Sequence, residues 1–220
     1  MKLILLSVVT SENYIEKTLL SMKRSIDQFD FDDAILICPP NTYTGPWHGI
    51  LEINENIEWG NYSEWILKNL INYISPNSYC LFVQWDSCII NPDLWTDEFL
   101  NYDYIGAVWP NQWINRVGNG GFSLRSYRFI EECSKLQYSR TGIKDYDNED
   151  YIACVKNYHY MKDGGIKFAP INLARQFSVE HPIGENPHSY GDLSSYRSFG
   201  FHGDFNKAGM NYLTGLTDDH

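Results

Sequence analysis

The sequence predicts one α/β domain with a mostly parallel central sheet flanked by helices, a Rossmann-like arrangement spanning residues 1–220. Three observations lead there. Leu3 to Val9 is short, continuously apolar and followed by Thr10-Ser11-Glu12, which reads as a fully buried strand feeding a helix N-terminus. A helix over Tyr14 to Phe29 and a second apolar run, Ala34 to Cys38, complete a strand–helix–strand unit, whose connection is right-handed and whose strands are parallel. The length of 220 residues suits a single core that needs no disulfide or metal as a staple.

Later elements follow the same logic. Pro39-Pro40-Asn41 ends the second strand. Between Tyr62 and Ile74, Tyr62, Trp65, Ile66, Leu70, Tyr73 and Ile74 recur at helical spacing, and Ser75-Pro76 stops the pattern. These aromatic residues are assigned to the core. Tyr79 to Val83 is a further buried strand that changes abruptly to Gln84-Trp85-Asp86-Ser87. A short helix is expected over Leu94 to Leu100, a strand over Tyr104 to Ala107, and helices over Ser126 to Leu136 and Glu149 to Tyr158. Residues 1–110 and 111–220 are the two expected parts of the domain, and the C-terminal third of the chain is expected to be irregular.

Composition excludes several classes. A formal charge of −11 argues against general nucleic-acid binding, which rests on Lys and Arg neutralising phosphates. Any phosphate site must be local, built from a cation, a few basic side chains or backbone N–H groups. The five cysteines, Cys38, Cys80, Cys88, Cys133 and Cys154, are scattered without a C-x-x-C pair and read as reduced core residues. No apolar stretch approaches the roughly 20 residues that span a bilayer, so a cytoplasmic protein without a transmembrane segment is expected. The 16 Tyr and 7 Trp can fill a core or face carbohydrate.

Four constellations carry potential chemistry. Gln84-x-Asp86 lies just past a buried strand, where open α/β sheets bind ligands, and a carboxylate there can hold a hard cation or cap a turn. Gly118 to Gly121 has three glycines within four positions, a density that permits positive φ or close backbone approach, and a hairpin turn is the plainer alternative. Asp147-Asn148-Glu149-Asp150 precedes an apolar helix, where acids either complement the helix dipole or supply a general base. His202, set between glycines, is a metal ligand or a turn residue.

Taken in order, Gln84-Trp85-Asp86, Tyr102 to Ala107, Gly118 to Ser126, Glu149-Asp150, Gly165 to Pro170, Phe177 to Glu180 and Phe199 to Gly203 resemble a glycosyltransferase-like family known mainly as a domain of unknown function. The resemblance runs from about Tyr62 to Gly203 and implies a GT-A-like fold, with residues 1–110 as its nucleotide-binding part and 111–220 as its acceptor and catalytic part. In that fold an acid-x-acid motif binds ribose and metal, a Gly-rich segment contacts donor and acceptor, and a later carboxylate acts as base. Carried onto this sequence, Asp86 and His202 are the implied metal ligands for Mn²⁺ or Mg²⁺. Val9, Thr10, Gln84, Trp85, Asp86, Gly120 and Gly121 fall on the donor side. Gln84 stands where the first acid is expected, and an amide can hydrogen-bond ribose but brings no charge.

The expected activity is transfer of a sugar from a nucleotide diphosphate sugar to a glycan or other acceptor hydroxyl. Asp150 or Glu149 is the base, with Asp150 preferred because adjacent helical residues point about 100° apart. Inversion is the expected outcome, and uridine as the base rests on the resemblance alone. A retaining transferase and a non-catalytic nucleotide-sugar or glycan-binding module are the alternatives.

Overall fold

The computed structural model describes residues 1–40, 49–143, 145–181 and 196–215, so Asn41 of the expected turn lies outside the described residues. The elements in chain order are β1 (Lys2–Val8), α1 (Ile15–Gln28), β2 (Asp33–Cys38), β3 (Leu51–Asn54), α2 (Tyr62–Asn69), β4 (Ser78–Val83), β5 (Ser87–Ile89) and β6 (Tyr104–Gly106). They continue as β7 (Phe122–Ser126), α3 (Tyr127–Lys135), α4 (Glu149–Tyr151), α5 (Tyr158–Asp163), α6 (Ile171–Phe177), β8 (Ser178–Val179), β9 (Gly200–His202) and α7 (Lys207–Thr214).

The main sheet has six strands in the order β3-β2-β1-β4-β7-β6. β1, β2, β3 and β4 are mutually parallel, while β7 runs antiparallel to both β4 and β6. β7, from the second half of the chain, is thus hydrogen-bonded between two strands of the first. A smaller sheet, β5-β9-β8, stands apart. Its β5–β9 pairing sets Ser87 opposite His202.

Strand β1 is central, so both of its faces are covered. Ile4, Leu6 and Val8 pack with α2 and α3 on one side, and Leu5 and Val9 pack with α1 and α6 on the other. Phe99, Phe122, Phe177 and Phe199 meet on the α6 side at ring separations of 5.2 to 6.4 Å, and they explain part of the aromatic load. All five cysteines are buried, and none is in a disulfide. No helix among the described residues is long and apolar enough to cross a membrane.

Several expectations need correction. The Tyr62–Ile74 helix is α only to Asn69 and tightens to a 3₁₀ turn over Leu70–Tyr73. Leu94 to Leu100 is not a helix but the flank of two 3₁₀ turns, Pro92–Leu94 and Asp97–Asn101, broken where Trp95 and Thr96 are extended. The helix after Asn148 runs past Tyr158 to Asp163, with a π segment at Ile152–Lys156. There Asn157 N donates to Ile152 O at 3.0 Å, and the Cys154 carbonyl accepts from Asn115 Nδ2 at 3.1 Å. The described part of the final third is not irregular, since it supplies α6, α7 and two strands of the small sheet.

Candidate active site

Strand order reverses at β1: β2 and β3 lie on one side, and β4, β7 and β6 on the other. Chain leaving the carboxyl ends of β1 and β4 therefore parts and opens a crevice, the usual ligand position of an open α/β sheet. Val9 and Thr10 leave β1 there, and Gln84, Trp85 and Asp86 leave β4. Two cavities share Tyr62 and Gln84 in their walls. The smaller, about 130 Å³, is lined also by Val9, Thr10, Tyr14 and Trp85. The larger, about 650 Å³, takes in Gly121, Glu149, Asp150, Glu180 and His202, with Trp109 and Trp113 on its wall.

His202 forms the hub of the larger cavity because the β5–β9 register delivers it beside the end of β4. Its Nε2 lies 3.2 Å from Gln84 Oε1 and 3.5 Å from Asp86 Oδ1, while Nδ1 lies 3.2 Å from Glu180 Oε1. Burial acts to lower the imidazole pKa, but Asp86 and Glu180 on its two sides outweigh that and push it up to about 10. Asp86 Oδ1, Glu180 Oε2 and His202 Nδ1 are buried without an aligned hydrogen-bond partner, so this cluster has unused donor and acceptor capacity. Among the described residues, no group of three or more His, Cys, Asp or Glu side chains is arranged to hold a metal ion.

The two acids at the start of α4 separate as adjacent helical residues must. Glu149 is buried, 3.4 Å from Arg125 Nη2, and that guanidinium also donates to Gly120 O at 3.1 Å and to Ser123 Oγ at 2.9 Å. Asp150 accepts from Gly120 N at 2.9 Å and from Tyr151 N at 2.7 Å. Burial first, then the neighbouring Glu149 charge, raise its carboxyl to about 7 against those hydrogen bonds. Both acids reach the cavity wall. Glu149→Gln is expected to destabilise the fold by about 3 kcal/mol, because it leaves the Arg125 charge buried without its counter-ion, and urea denaturation will measure this.

Asp147 is committed elsewhere. Its carboxylate accepts from Thr141 N, Thr141 Oγ1 and Gly142 N at 2.6 to 2.7 Å, and these bonds, led by that of the Thr141 amide, lower its pKa.

The glycine run has a different reason from the one its sequence suggests. Positive φ occurs at Gly49, Gly142, Gly165, Gly203 and Gly215, not at Gly118, Gly120 or Gly121. Close approach explains the run instead. A Cβ on Gly121 would fall 2.0 Å from His202 Nε2, and one on Gly120 would meet Arg125, Glu149 and Asp150 at 2.9 to 3.1 Å. The atoms approaching these glycines are protein side chains of the site itself.

Sequence reasoning missed five participants. Tyr62, assigned to the core, lines both cavities, and its hydroxyl accepts from Gln84 Nε2 at 3.2 Å. Trp109 and Trp113 form wall, and Glu180 flanks His202. Arg125 was detectable in principle, since a cation inside a strand buried along its whole length demands a buried partner.

This fold, with its crevice at the carboxyl edge of a mostly parallel sheet, is of the GT-A glycosyltransferase type. It is similar to the galactosyltransferase LgtC in complex with donor and acceptor sugar analogs, with a TM-score of 0.55 and 13% identity, covering 98% of this chain and 95% of that one. An active-site mutant of LgtC gives a TM-score of 0.54 at 14% identity over the same shares. At such identity the likeness establishes the fold. No curated protein matches the chain. The chain belongs to the family described as "Protein of unknown function (DUF5672)", whose model matches residues 57–202.

Proposed function

We propose that the chain is a metal-dependent, inverting glycosyltransferase that moves a sugar from a nucleoside diphosphate sugar to an acceptor hydroxyl. The observation that carries this reading is the pair of adjoining cavities at the sheet edge. The smaller offers the Tyr14 and Trp85 rings, 5.3 Å apart, beside Val9 and Thr10, which suits a nucleoside. The larger has room for a sugar and an acceptor, with Tyr62 and Gln84 at its junction with the first and His202 beside Gln84. Uridine is the base proposed for the nucleotide.

Among the described residues, no Lys or Arg lines either cavity, and Lys17, whose ammonium lies 4.9 Å from the Trp85 ring centre, is a cation beside the smaller one; a bound metal ion would add the charge that offsets a diphosphate there. Asp86 and His202 Nε2, the imidazole giving up its proton as the ion binds, are the residues that would hold Mn²⁺ or Mg²⁺, aided by the Gln84 amide oxygen, with donor oxygens completing the shell. The cluster fits such a role, since Asp86 Oδ1 is buried without a hydrogen-bond partner and Glu180 sits at the far ring nitrogen, where it orients the imidazole. When bound, the ion supplies charge stabilisation for the departing diphosphate.

Asp150 is the base of this proposal. Its carboxylate takes the acceptor hydroxyl proton as the acceptor oxygen bonds to the anomeric carbon and the bond from that carbon to the diphosphate oxygen breaks. Attack from the face opposite the leaving group inverts the configuration. A carboxyl titrating near neutrality is better matched to that task than an ordinary one.

A screen of nucleotide sugars with and without Mn²⁺, read by release of free nucleoside diphosphate, tests the reading. Gln84 in place of an acid favours one rival, a module that binds the nucleotide sugar without turnover. That rival predicts thermal protection with no diphosphate released. Mn²⁺ together with UDP is expected to raise the melting temperature by more than the sum of their separate effects, and Asp86→Asn to abolish the excess. An unchanged excess in that variant removes Asp86 from the metal site.

A further inference from the structure

We propose that Trp109, Trp113 and Tyr151, extended at the surface by Tyr146, form a stacking platform for an uncharged glycan, which in the transferase reading is the acceptor. The rings run out of the larger cavity as a continuous chain of edge-to-face and tilted contacts, with successive planes 84°, 72° and 50° apart. Trp109 and Trp113 lie 4.7 Å apart, Trp113 and Tyr151 5.2 Å, and Tyr151 and Tyr146 4.7 Å, and exposure rises from 7% at Trp109 to 46% at Tyr146. A hydrophobic core has no use for such a gradient, since its outer rungs gain little from burial.

The ladder is built to hold its shape. Val108 and Val117 close the base of the loop as an antiparallel bridge. Trp109 N donates to Arg116 O at 2.9 Å, and Arg116 Nε returns a bond to Trp109 O at 3.0 Å. Beneath the indole lies Gly118, where a Cβ would stand 2.1 Å from the Trp109 ring. The aromatic faces are therefore ordered before any ligand arrives, which lowers the entropy cost of binding.

The chemistry of the surroundings selects the occupant. Asn111, Asn119 and Asn148 share the cavity wall with the rings, so flat apolar faces alternate with amide donors and acceptors. Neither Trp109 nor Trp113 spends its indole N–H on a hydrogen bond among the described residues. Pyranose rings have that same composite surface, apolar C–H faces bordered by hydroxyls. Asp145, Glu149, Asp150 and Glu180 also line the cavity, against the His202 imidazolium and His181 and without a Lys or Arg among the described residues, so acids outnumber cations and the field disfavours a sialylated, sulfated or phosphorylated glycan.

The test needs neither donor nor turnover. Lactose, cellobiose, chitobiose and maltose are titrated against the full chain by tryptophan fluorescence and calorimetry, alongside 3′-sialyllactose as the acidic probe. At least one neutral disaccharide is expected to bind saturably and more tightly than 3′-sialyllactose. Trp113→Ala is expected to weaken that binding about tenfold or more, whereas Trp113→Tyr, which keeps a flat ring and guards against a folding artefact, retains most of it. The proposal is overturned if no neutral disaccharide binds, if Trp113→Ala binds as the wild type does, or if 3′-sialyllactose binds best. Glycan binding without diphosphate release would leave the platform standing and remove the transferase reading. Diphosphate release with no glycan bound would do the reverse.

Discussion

Asp150→Asn is expected to lower kcat by about 10²- to 10⁴-fold while leaving the affinity for a nucleoside diphosphate near that of the wild type. A base acts on the acceptor proton only as the new glycosidic bond forms, so its loss costs transition-state stabilisation and spares the ground-state complex. The carboxyl titrates at about 7, so kcat/KM of the wild type should fall below that pH with the loss of one ionised group. Stability moves the opposite way. The folded pKa of about 7 exceeds the ordinary aspartate value of 3.8, so the fold prefers the protonated carboxyl, and stability declines as pH rises from about 4 to 7. Asp150→Asn should therefore melt above the wild type at pH 8, and the gap should close toward pH 4. A variant that turns over normally and only melts earlier would assign Asp150 to the helix terminus alone.

Gly121→Ala is expected to abolish measurable turnover. The added methyl would overlap the His202 ring, with its Cβ 2.0 to 2.4 Å from three ring atoms, and no small adjustment relieves that. The imidazole must leave its place beside Gln84 and Asp86, so the Mn²⁺-dependent excess in melting temperature with UDP should disappear as well. Strand β7 begins at the next residue, so some loss of folding stability is expected, on the order of 1–3 kcal/mol for overpacking. Circular dichroism and diphosphate release, measured on the same preparation, separate the outcomes. Loss of fold equal to the loss of activity would assign the glycine to the scaffold.

The strands that set the crevice were readable because β1, β2 and β4 are mostly apolar, with Ser7 the one polar residue inside them, as suits central parallel strands covered on both faces. β3 escaped because it is an edge strand, with Leu51 exposed and a charged Glu52 in its short span. The small sheet escaped because strands of two or three residues are too short to show a period. Its pairing is what carries His202 to Asp86, so sequence motifs identified both residues while their convergence depended on elements with no sequence signal. The π segment was equally hidden: the Asn115 side chain that bonds its Cys154 carbonyl lies 39 positions away in the chain. Tyr62 misled because helical periodicity places it on an apolar stripe, and periodicity does not tell a core wall from a cavity wall.

That Asn115 bond also decides which parts travel together. Its amide grips Cys154 O at 3.1 Å and Val117 O at 2.9 Å, fastening the loop that carries Trp109 and Trp113 to the helical segment whose first turn holds Asp150. Gly120 N, held by the Asp150 carboxylate, is a second rivet between the same two pieces. Aromatic wall and carboxylate are then one jig, whose spacing is set before either substrate enters. In the transferase reading, the distance from a sugar seated on the rings to Asp150 is therefore set by the scaffold and not by what happens on the nucleotide side.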